Sequence, residues 1–374
     1  MSYLTGLTSL LGTLPIPTPD PLGYPVPVWV LKSLTYLTLT LHYLAMQFTL
    51  GGALFYLWIG LRKPAEGGRI QSYLGGSLPL GFSYLVTLGI PPLLFVQVLY
   101  GQFYYSSSVL IGAFWILVVP LLILAYGLFY LHKLTRRDRP QGQAWVISVA
   151  LLAMLTIAYI YSNNFTLLQT PERWLDMYVA HPAGGTLNFG EPTRMPRLVL
   201  LLSPALAVAG LGLMVAGSFW YRRGQEEIGA AFQRQGLGGL VVGTALSLAG
   251  GWWLFARLPE RVLVGLQGNQ LVQVALYAGL GLAGLAVVVG AASYRVRSGR
   301  LPLVGALLAA LAIAAIVIVR DGIRDAYLAP VFSTASVPVN AQWGLFFGFV
   351  GTLVVGGALV LFLTLAVIRN LLRD

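Results

Sequence analysis

The sequence predicts an all-α protein, a polytopic transmembrane helical bundle of about nine spans. Of its 374 residues, 57% are hydrophobic and only 9% are charged, whereas soluble globular proteins carry about 25% charged residues. Apolar windows of roughly 20 residues recur along the chain, the length that crosses a hydrocarbon core of about 30 Å. The basic residues collect at the ends of these windows. The net charge of +11 therefore indicates membrane topology and contact with lipid, and no nucleic-acid partner.

A proline- and threonine-rich segment, residues 1–29, precedes the first span, and we expect it to lie outside the cytoplasm. Residues 30–374 are predicted to form a single transmembrane domain. Its spans are expected, to within a few residues, at 30–61, 76–100, 107–132, 144–168, 197–221, 236–256, 271–293, 301–320 and 342–368.

The basic residues are divided unequally between the two sets of loops. Fifteen of the 23 Lys and Arg residues fall in one set and 8 in the other. Because cytoplasmic loops carry the excess of Lys and Arg, the N-terminus is predicted outside and the C-terminus inside a cell inner (plasma) membrane. The longer outside loops are 169–196, 257–270 and 321–341. Function that is not buried between helices should therefore face outward.

Two absences limit the chemistry that the chain can carry. It has no cysteine, which excludes thiolate-bound zinc, cysteine-bound iron–sulfur clusters and heme attached through a CxxCH motif. None of its 12 acidic residues falls in the middle of a predicted span. Transmembrane proton relays use buried Asp, Glu or His, so a proton pump is not expected. A transporter is the least favoured alternative, because inverted repeats are not evident either.

The chain has three histidines. His42, in "LHYLAMQFTLGG", lies about 18 Å along the first span at about 1.5 Å per residue. It is either a hydrogen-bonding core residue or an axial heme ligand. His181, in the outer loop "YVAHPAGGTLNFGEPTRMP", is either a solvated or loop-capping residue or a second ligand near the outer surface. His132, in "FYLHKLTRR", is predicted to belong to the basic belt at the cytoplasmic interface.

Two stretches near the outer surface combine polar and aromatic residues. In "GIPPLLFVQVLYGQFYYSS" a Pro–Pro break precedes Gln97, Tyr100 and Gln102, which form either an ordinary aromatic belt or a pocket suited to a quinone ring. "VRDGIRDAYLAP" carries two Arg–Asp pairs, and Arg320 and Arg324, four residues apart, can face one side of a helix. They form either an interfacial charge cluster or a clamp for a heme propionate or a quinone head group. Asp325 or Asp321 would be the local base for quinol protons.

These stretches resemble subunit I of cytochrome bd-type quinol oxidases. "LHYLAMQFTLGG" is similar to the first-helix pattern whose histidine is a heme ligand, with His42 at that position, and "GIPPLLF" is similar to the G-I-P stretch. "SNNFTLLQTP" and "AHPAGGTLNFGEPTRM" resemble the outer loop of that family. "IRDAYLAPVFSTASVPV" is similar to its G-R-Q-P-W segment, with Arg324 at the arginine. The resemblance covers most of the chain and implies a nine-span bundle, heme b and quinol.

The departures from that family bear on function. "RLVLLLSPALAVAG" lacks the ligand histidine at the start of the fifth helix, and "PLLF" replaces the glutamate after G-I-P. The outer loop where the family binds quinol is shortened to "RLPERVLVGLQGNQ". One or two hemes at most are therefore expected, and a triheme site that reduces oxygen is not.

Three functional hypotheses follow from these patterns. The first is a membrane subunit of a respiratory electron-transfer complex. It would bind quinol or quinone near the outer face and exchange electrons with an extracytoplasmic partner, a c-type cytochrome or another redox subunit, in a hetero-oligomer. The second is a heme-free structural membrane anchor of a bd-like complex. The third is a transporter.

Overall fold

The computed structural model describes residues 16–135, 143–297 and 299–371, and the part of the chain within these ranges is built from α-helices. Nine helical stretches in this part are long and apolar enough to cross a membrane, which confirms the predicted class. They are α1 (Val28–Arg62), α2 (Gly67–Leu110), α3 (Gly112–Thr135), α4 (Ala144–Leu168), α6 (Arg194–Leu202) continued by α7 (Pro204–Arg222), α8 (Glu226–Arg257), α10 (Gln270–Val296), α11 (Leu301–Leu328) and α12 (Trp343–Leu371). Two short helices, α5 (Trp174–Ala180) and α9 (Glu260–Gln267), lie in the loops. We call the end of the bundle at which α1 begins the predicted outer end.

Helix α2 differs from the prediction for the second and third spans. Instead of ending near Tyr100, it has 44 residues, about 66 Å at about 1.5 Å per residue and roughly twice the bilayer core. The helix continues through Pro91 and Pro92, and its backbone departs from helical geometry only at Tyr100 (φ −136°, ψ 32°). Prolines are tolerated inside transmembrane helices because neighbouring groups can satisfy the freed carbonyls. At the kink, the Tyr24 hydroxyl donates a hydrogen bond to the Leu99 carbonyl at 3.0 Å.

Helix α11 extends further than the predicted span, which ended at residue 320. It continues to Leu328, so Asp321, Arg324 and Asp325 lie on its last two turns and not in a loop. A span predicted from mean hydropathy ends at the first cluster of charged residues. The helix does not stop there, because side chains of α1 and α2 pair with those charges, as described below.

Helices α7 and α8 pack closely against each other, with glycines at the points of contact. A Cβ at Gly217 would lie 2.9 Å from the Gly229 carbonyl oxygen, and one at Gly210 would overlap the Gly236 carbonyl. Lipid tails are as apolar as leucine, so helices in a membrane associate where small residues let backbones approach closely. The backbones of α1 and α7 approach each other in the same way, because Gly51 of α1 packs against the Ala205 carbonyl of α7. These contacts hold α1 at the centre of the bundle, between α2 and α7.

His132 does not belong to the interfacial basic belt, as the sequence had suggested. Its side chain is fully buried between α1 and α2. The imidazole ring lies edge-on to Tyr56, with the ring centroids 5.0 Å apart, and it occupies the space that a side chain at position 75 would need. Gly75 therefore makes room for this histidine in the core.

Helix α12 is packed least. The described part of this helix exposes large apolar residues such as Leu345 and Phe347. Its start is tied to the N-terminal segment by the backbone bonds Asn340 N–H to the Tyr24 carbonyl and Gln342 N–H to the Pro25 carbonyl, both 2.8 Å. Of the segment 1–29, the structure describes residues 16–29, and these lie at the predicted outer end beside this connection.

Candidate functional site: a charge network beside a histidine-lined cavity

Asp321 is the centre of an ion-pair network at the predicted outer end. Its carboxylate accepts a hydrogen bond from the Tyr36 hydroxyl at 2.7 Å and lies 3.0 Å from the Lys32 ammonium. It is also paired with Arg324, one turn further along α11. The side chains of Asp321 and Arg324 are only 6% and 2% exposed. Two cations and a hydroxyl surround this buried carboxylate. Its role is therefore structural, because it holds α1 against α11.

Asp325 has a more open environment. Its carboxylate contacts the Lys32 ammonium and accepts a hydrogen bond from the Tyr100 hydroxyl at 2.6 Å. Its side chain is 38% exposed. Of the two acids predicted as bases, Asp325 therefore has access to an incoming molecule, while Asp321 does not.

The Tyr100 ring connects the kink in α2 to this network. The guanidinium carbon of Arg324 lies 3.9 Å from the centroid of the Tyr100 ring, a cation–π contact. Just outside the membrane-spanning part of α1, burial and the nearby Asp325 carboxylate raise the pKa of Tyr24 to about 12. The Tyr24 hydroxyl therefore keeps its proton at neutral pH and remains a donor to the kink.

The two glutamines predicted for the quinone pocket lie close to the network in sequence but not in it. Gln97 lies beside the Tyr104 hydroxyl. Gln102 is half-buried in the turn that follows the kink. The structure thus brings together Tyr100, Arg324, Asp321 and Asp325. The side-chain amides of Gln97 and Gln102 lie outside this network.

His42 lies deeper in α1 and has one ring nitrogen in a hydrogen bond. Its Nδ1 is 3.0 Å from the Leu85 carbonyl oxygen of α2. A carbonyl can only accept, so Nδ1 carries the proton and Nε2 presents a lone pair. A Cβ at position 89 would lie 3.0 Å from Nδ1 and Cε1 of the ring. The imidazole can therefore lie against α2 because residue 89 has no side chain.

A cavity of about 730 Å³ lies against His42, within the range of roughly 300–1,000 Å³ typical of ligand pockets. Its walls are mostly apolar side chains of α1, α2, α4, α8, α10 and α11. Two arginines, Arg197 of α6 and Arg320 of α11, also line it. Arg320 lies one turn from Arg324, so α11 contributes both to the cavity wall and to the charge network.

His181, predicted as a possible second ligand, is not near this cavity. It is exposed at the end of α5, where its backbone N–H donates to the Met177 carbonyl at 3.0 Å. In the ranges that the structure describes, no three His, Asp or Glu side chains form a group that could hold a metal ion. His42 lines the cavity and His181 is not among its lining residues.

Sequence reasoning missed three residues of this region. Lys32 had been treated only as one of the outside basic residues, yet it contacts both acids. A lone lysine at the start of an otherwise uncharged span is a signal that could have identified it. Arg197 and Gly89 gave no comparable signal, because their roles depend on which helices are neighbours.

Comparisons with known proteins bear on the fold. No protein-family model matches the sequence, and a comparison with curated proteins gives no match. Among solved structures, the chain is similar to a chain of the bd oxidase from Geobacillus thermodenitrificans, with a TM-score of 0.67 and 14% sequence identity. The alignment covers 94% of this chain and 98% of that chain. The bd-like fold expected from the motifs is thus confirmed for nearly the whole chain.

Proposed function

We propose that this chain is a membrane subunit of a respiratory electron-transfer complex that oxidises quinol at its predicted outer end. The observation that carries the proposal is the partly exposed Asp325 carboxylate, held between Lys32 and Tyr100. It lies on the same helix as Arg320 and Ile323, which line a large apolar cavity. The fold shared with a chain of a bd oxidase supports the same class of function. The quinol hydroxyls would approach Asp325 from its exposed side.

The residues of the network have distinct roles in this proposal. Asp325 accepts a quinol proton, and its exposure lets that proton pass to the outer solution. Tyr100 donates to the carboxylate and orients it. Lys32 balances the charge of the carboxylate before the proton arrives. Arg324 and Asp321 fix the position of α11. Gln97 and Gln102 would bind the polar edge of the ring if it enters along α2.

The residues around His42 fit a heme b. His42 would hold the heme through the Nε2 lone pair, its ring kept in place by Gly89 and by the Leu85 carbonyl, and the apolar cavity would take the porphyrin. When bound there, heme would supply a one-electron carrier. An extracytoplasmic partner, a c-type cytochrome or another redox subunit, would exchange electrons with it. His181, which is exposed at the same end of the molecule, is proposed to serve a ligand or a partner there and not this cavity.

The test of the quinol site is Asp325→Asn in the full-length chain in lipid nanodiscs. Positioned general bases contribute about 10²–10⁴-fold, so quinol-dependent reduction of heme or of added c-type cytochrome should fall by about a hundredfold. The exposed Asp176 of the outer loop offers the matched control, Asp176→Asn, which should keep the wild-type rate. A wild-type rate in Asp325→Asn would rule out this site.

The orientation is tested by reporter fusions. A reporter after Asp374 should be cytoplasmic, and a reporter inserted within residues 183–190 should be extracytoplasmic. The opposite pattern would place the network on the cytoplasmic side and end the assignment of quinol oxidation to the outer face.

A heme-free membrane anchor is the second candidate, favoured by one observation. The Nδ1 bond to Leu85 already gives His42 a partner in the core. A reduced-minus-oxidised spectrum of the purified chain separates the two candidates. A b-type band that disappears in His42→Ala supports the electron-transfer subunit, and a featureless wild-type spectrum supports the anchor.

A further inference from the structure

Two arginines of the bundle differ from Arg324 in their ion pairing. Among the residues that the structure describes, Arg197 and Arg320 are not within ion-pair distance of any carboxylate. Arg324, one turn from Arg320 on the same helix, is paired with Asp321. Both unpaired arginines line the cavity beside His42.

Their existing contacts do not neutralise them. The Arg320 guanidinium lies 4.6 Å from the centre of the Phe165 ring, and the Arg197 guanidinium lies 5.2 Å from that of Tyr327. Arg197 also lies beside the Tyr327 hydroxyl and donates from Nε to the Thr193 hydroxyl at 2.9 Å. The Thr193 hydroxyl donates to the Glu191 carboxylate at 2.7 Å, so this acid is linked to Arg197 only through Thr193. Cation–π contacts stabilise a charge by less than its removal from water costs. Each arginine therefore brings a positive charge to the cavity wall that an anionic group would compensate.

The other residues that line the cavity indicate which kind of anion it would bind. Most of the wall is aliphatic or aromatic, with a few neutral amides and hydroxyls such as those of Gln47, Gln169 and Ser162. The imidazole of His42, with its Nε2 lone pair, is the group in this lining that could bind a metal. A small inorganic anion would leave this apolar volume unfilled. The walls suit a large apolar body that carries carboxylates and offers a metal to the imidazole.

We propose that Arg197 and Arg320 form a carboxylate clamp for the propionate side chains of a heme that His42 ligates. This inference rests on the proposed function and adds to it the two residues that set affinity and orientation. Arginine is suited to this task because its planar guanidinium binds carboxylates bidentately. The clamp joins α6 and α11, which approach the cavity from different parts of the sequence.

The experiment compares hemin with hemin dimethyl ester, in which both propionates are esterified. Each is titrated into the full-length chain, purified from cells grown without heme precursor, and binding is followed by the Soret band. Hydrogen bonds to charged groups are worth about 1.5–3 kcal/mol, so the wild type should prefer hemin by about tenfold or more. Arg197→Gln and Arg320→Gln should each reduce this preference, and the double variant should abolish it.

Two variants separate the clamp from other effects. The exposed Arg257, which does not line the cavity, gives the control Arg257→Gln, whose preference for hemin should equal that of the wild type. His42→Ala should change the spectrum of the bound heme but keep the preference for hemin over its ester. Far-ultraviolet circular dichroism and gel filtration confirm that each variant is folded.

The possible results have different meanings. Equal wild-type affinity for hemin and its ester, with a His42-dependent spectrum, would overturn the clamp and leave the proposed function intact. No binding of either compound would overturn the clamp together with the heme in the proposed function. Anionic lipid that copurifies with the wild type and is lost in both arginine variants, without an effect on hemin, would assign the arginines to a lipid head group instead.

Discussion

Arg320 and Arg324 are one turn apart on α11, and their surroundings are opposite. Arg324 is 2% exposed, paired with Asp321 and stacked on Tyr100. Arg320 contacts the face of Phe165 and lines the cavity, and none of the carboxylates within the described ranges forms an ion pair with it. A charge that is fully compensated inside the protein serves mainly to hold helices together. A charge that the protein leaves uncompensated is available to a ligand.

The two acids of the network repeat this contrast. Asp321 is surrounded by Lys32, Tyr36 and Arg324, whereas Asp325 meets Lys32 and Tyr100 and remains 38% exposed. The same type of side chain is therefore structural at one position and open to chemistry at the next turn. Asp321→Asn tests this division directly and has the largest expected effect. Two further substitutions, with smaller expected effects, test the packing of His42 and the kink in α2.

Asp321→Asn should destabilise the protein by about 3–5 kcal/mol, because it leaves the buried Arg324 without its partner. The measurement is reversible unfolding in mixed micelles. The exposed pair Glu172–Arg261, separated by 3.9 Å, offers the control Glu172→Gln, with an expected cost of about 0–1 kcal/mol. Equal losses in both variants would show that the network around Asp321 is not the buried structural element described here.

Gly89→Ala should displace the His42 ring, because the added Cβ would lie 3.0 Å from it. Overpacking costs about 1–3 kcal/mol, partly offset by a gain of roughly 0.5–1 kcal/mol in helix propensity. The expected signs are a lower unfolding temperature and a weaker b-type band. Gly127→Ala, at a position with open space around it, should be neutral or stabilising. A b-type band of wild-type strength in Gly89→Ala would contradict this account of how His42 is positioned.

Tyr24→Phe should have the smallest effect, about 1 kcal/mol, since it removes one buried hydrogen bond to the Leu99 carbonyl at the kink. Thermal unfolding provides the measurement. The exposed Tyr277 offers the control Tyr277→Phe, which should not change stability. If the two variants unfold at the same temperature, the bond from Tyr24 does not support the kink.

The fold class was accessible from the sequence because the membrane imposes a simple physical requirement. Every backbone polar group in lipid must be satisfied within its own segment, so long apolar windows become helices. Hydropathy was less accurate for helix ends. It placed the end of the second span near Tyr100 and that of the eighth at Arg320, whereas α2 and α11 continue to Leu110 and Leu328. Charged residues near a helix end lower the local hydropathy even when they are paired with other helices.

For the candidate site, the sequence by itself determined which residue types were available: a histidine deep in the first span, and Arg324 flanked by two acids near the outer surface. Only the tertiary structure decided their assignments. It joined Lys32 to both acids, buried Asp321 while leaving Asp325 open, and brought Arg197 to the cavity that His42 lines. The physical reason is that a charge, unlike an apolar window, has no defined role until its partners are known. Those partners come from helices far apart in the sequence.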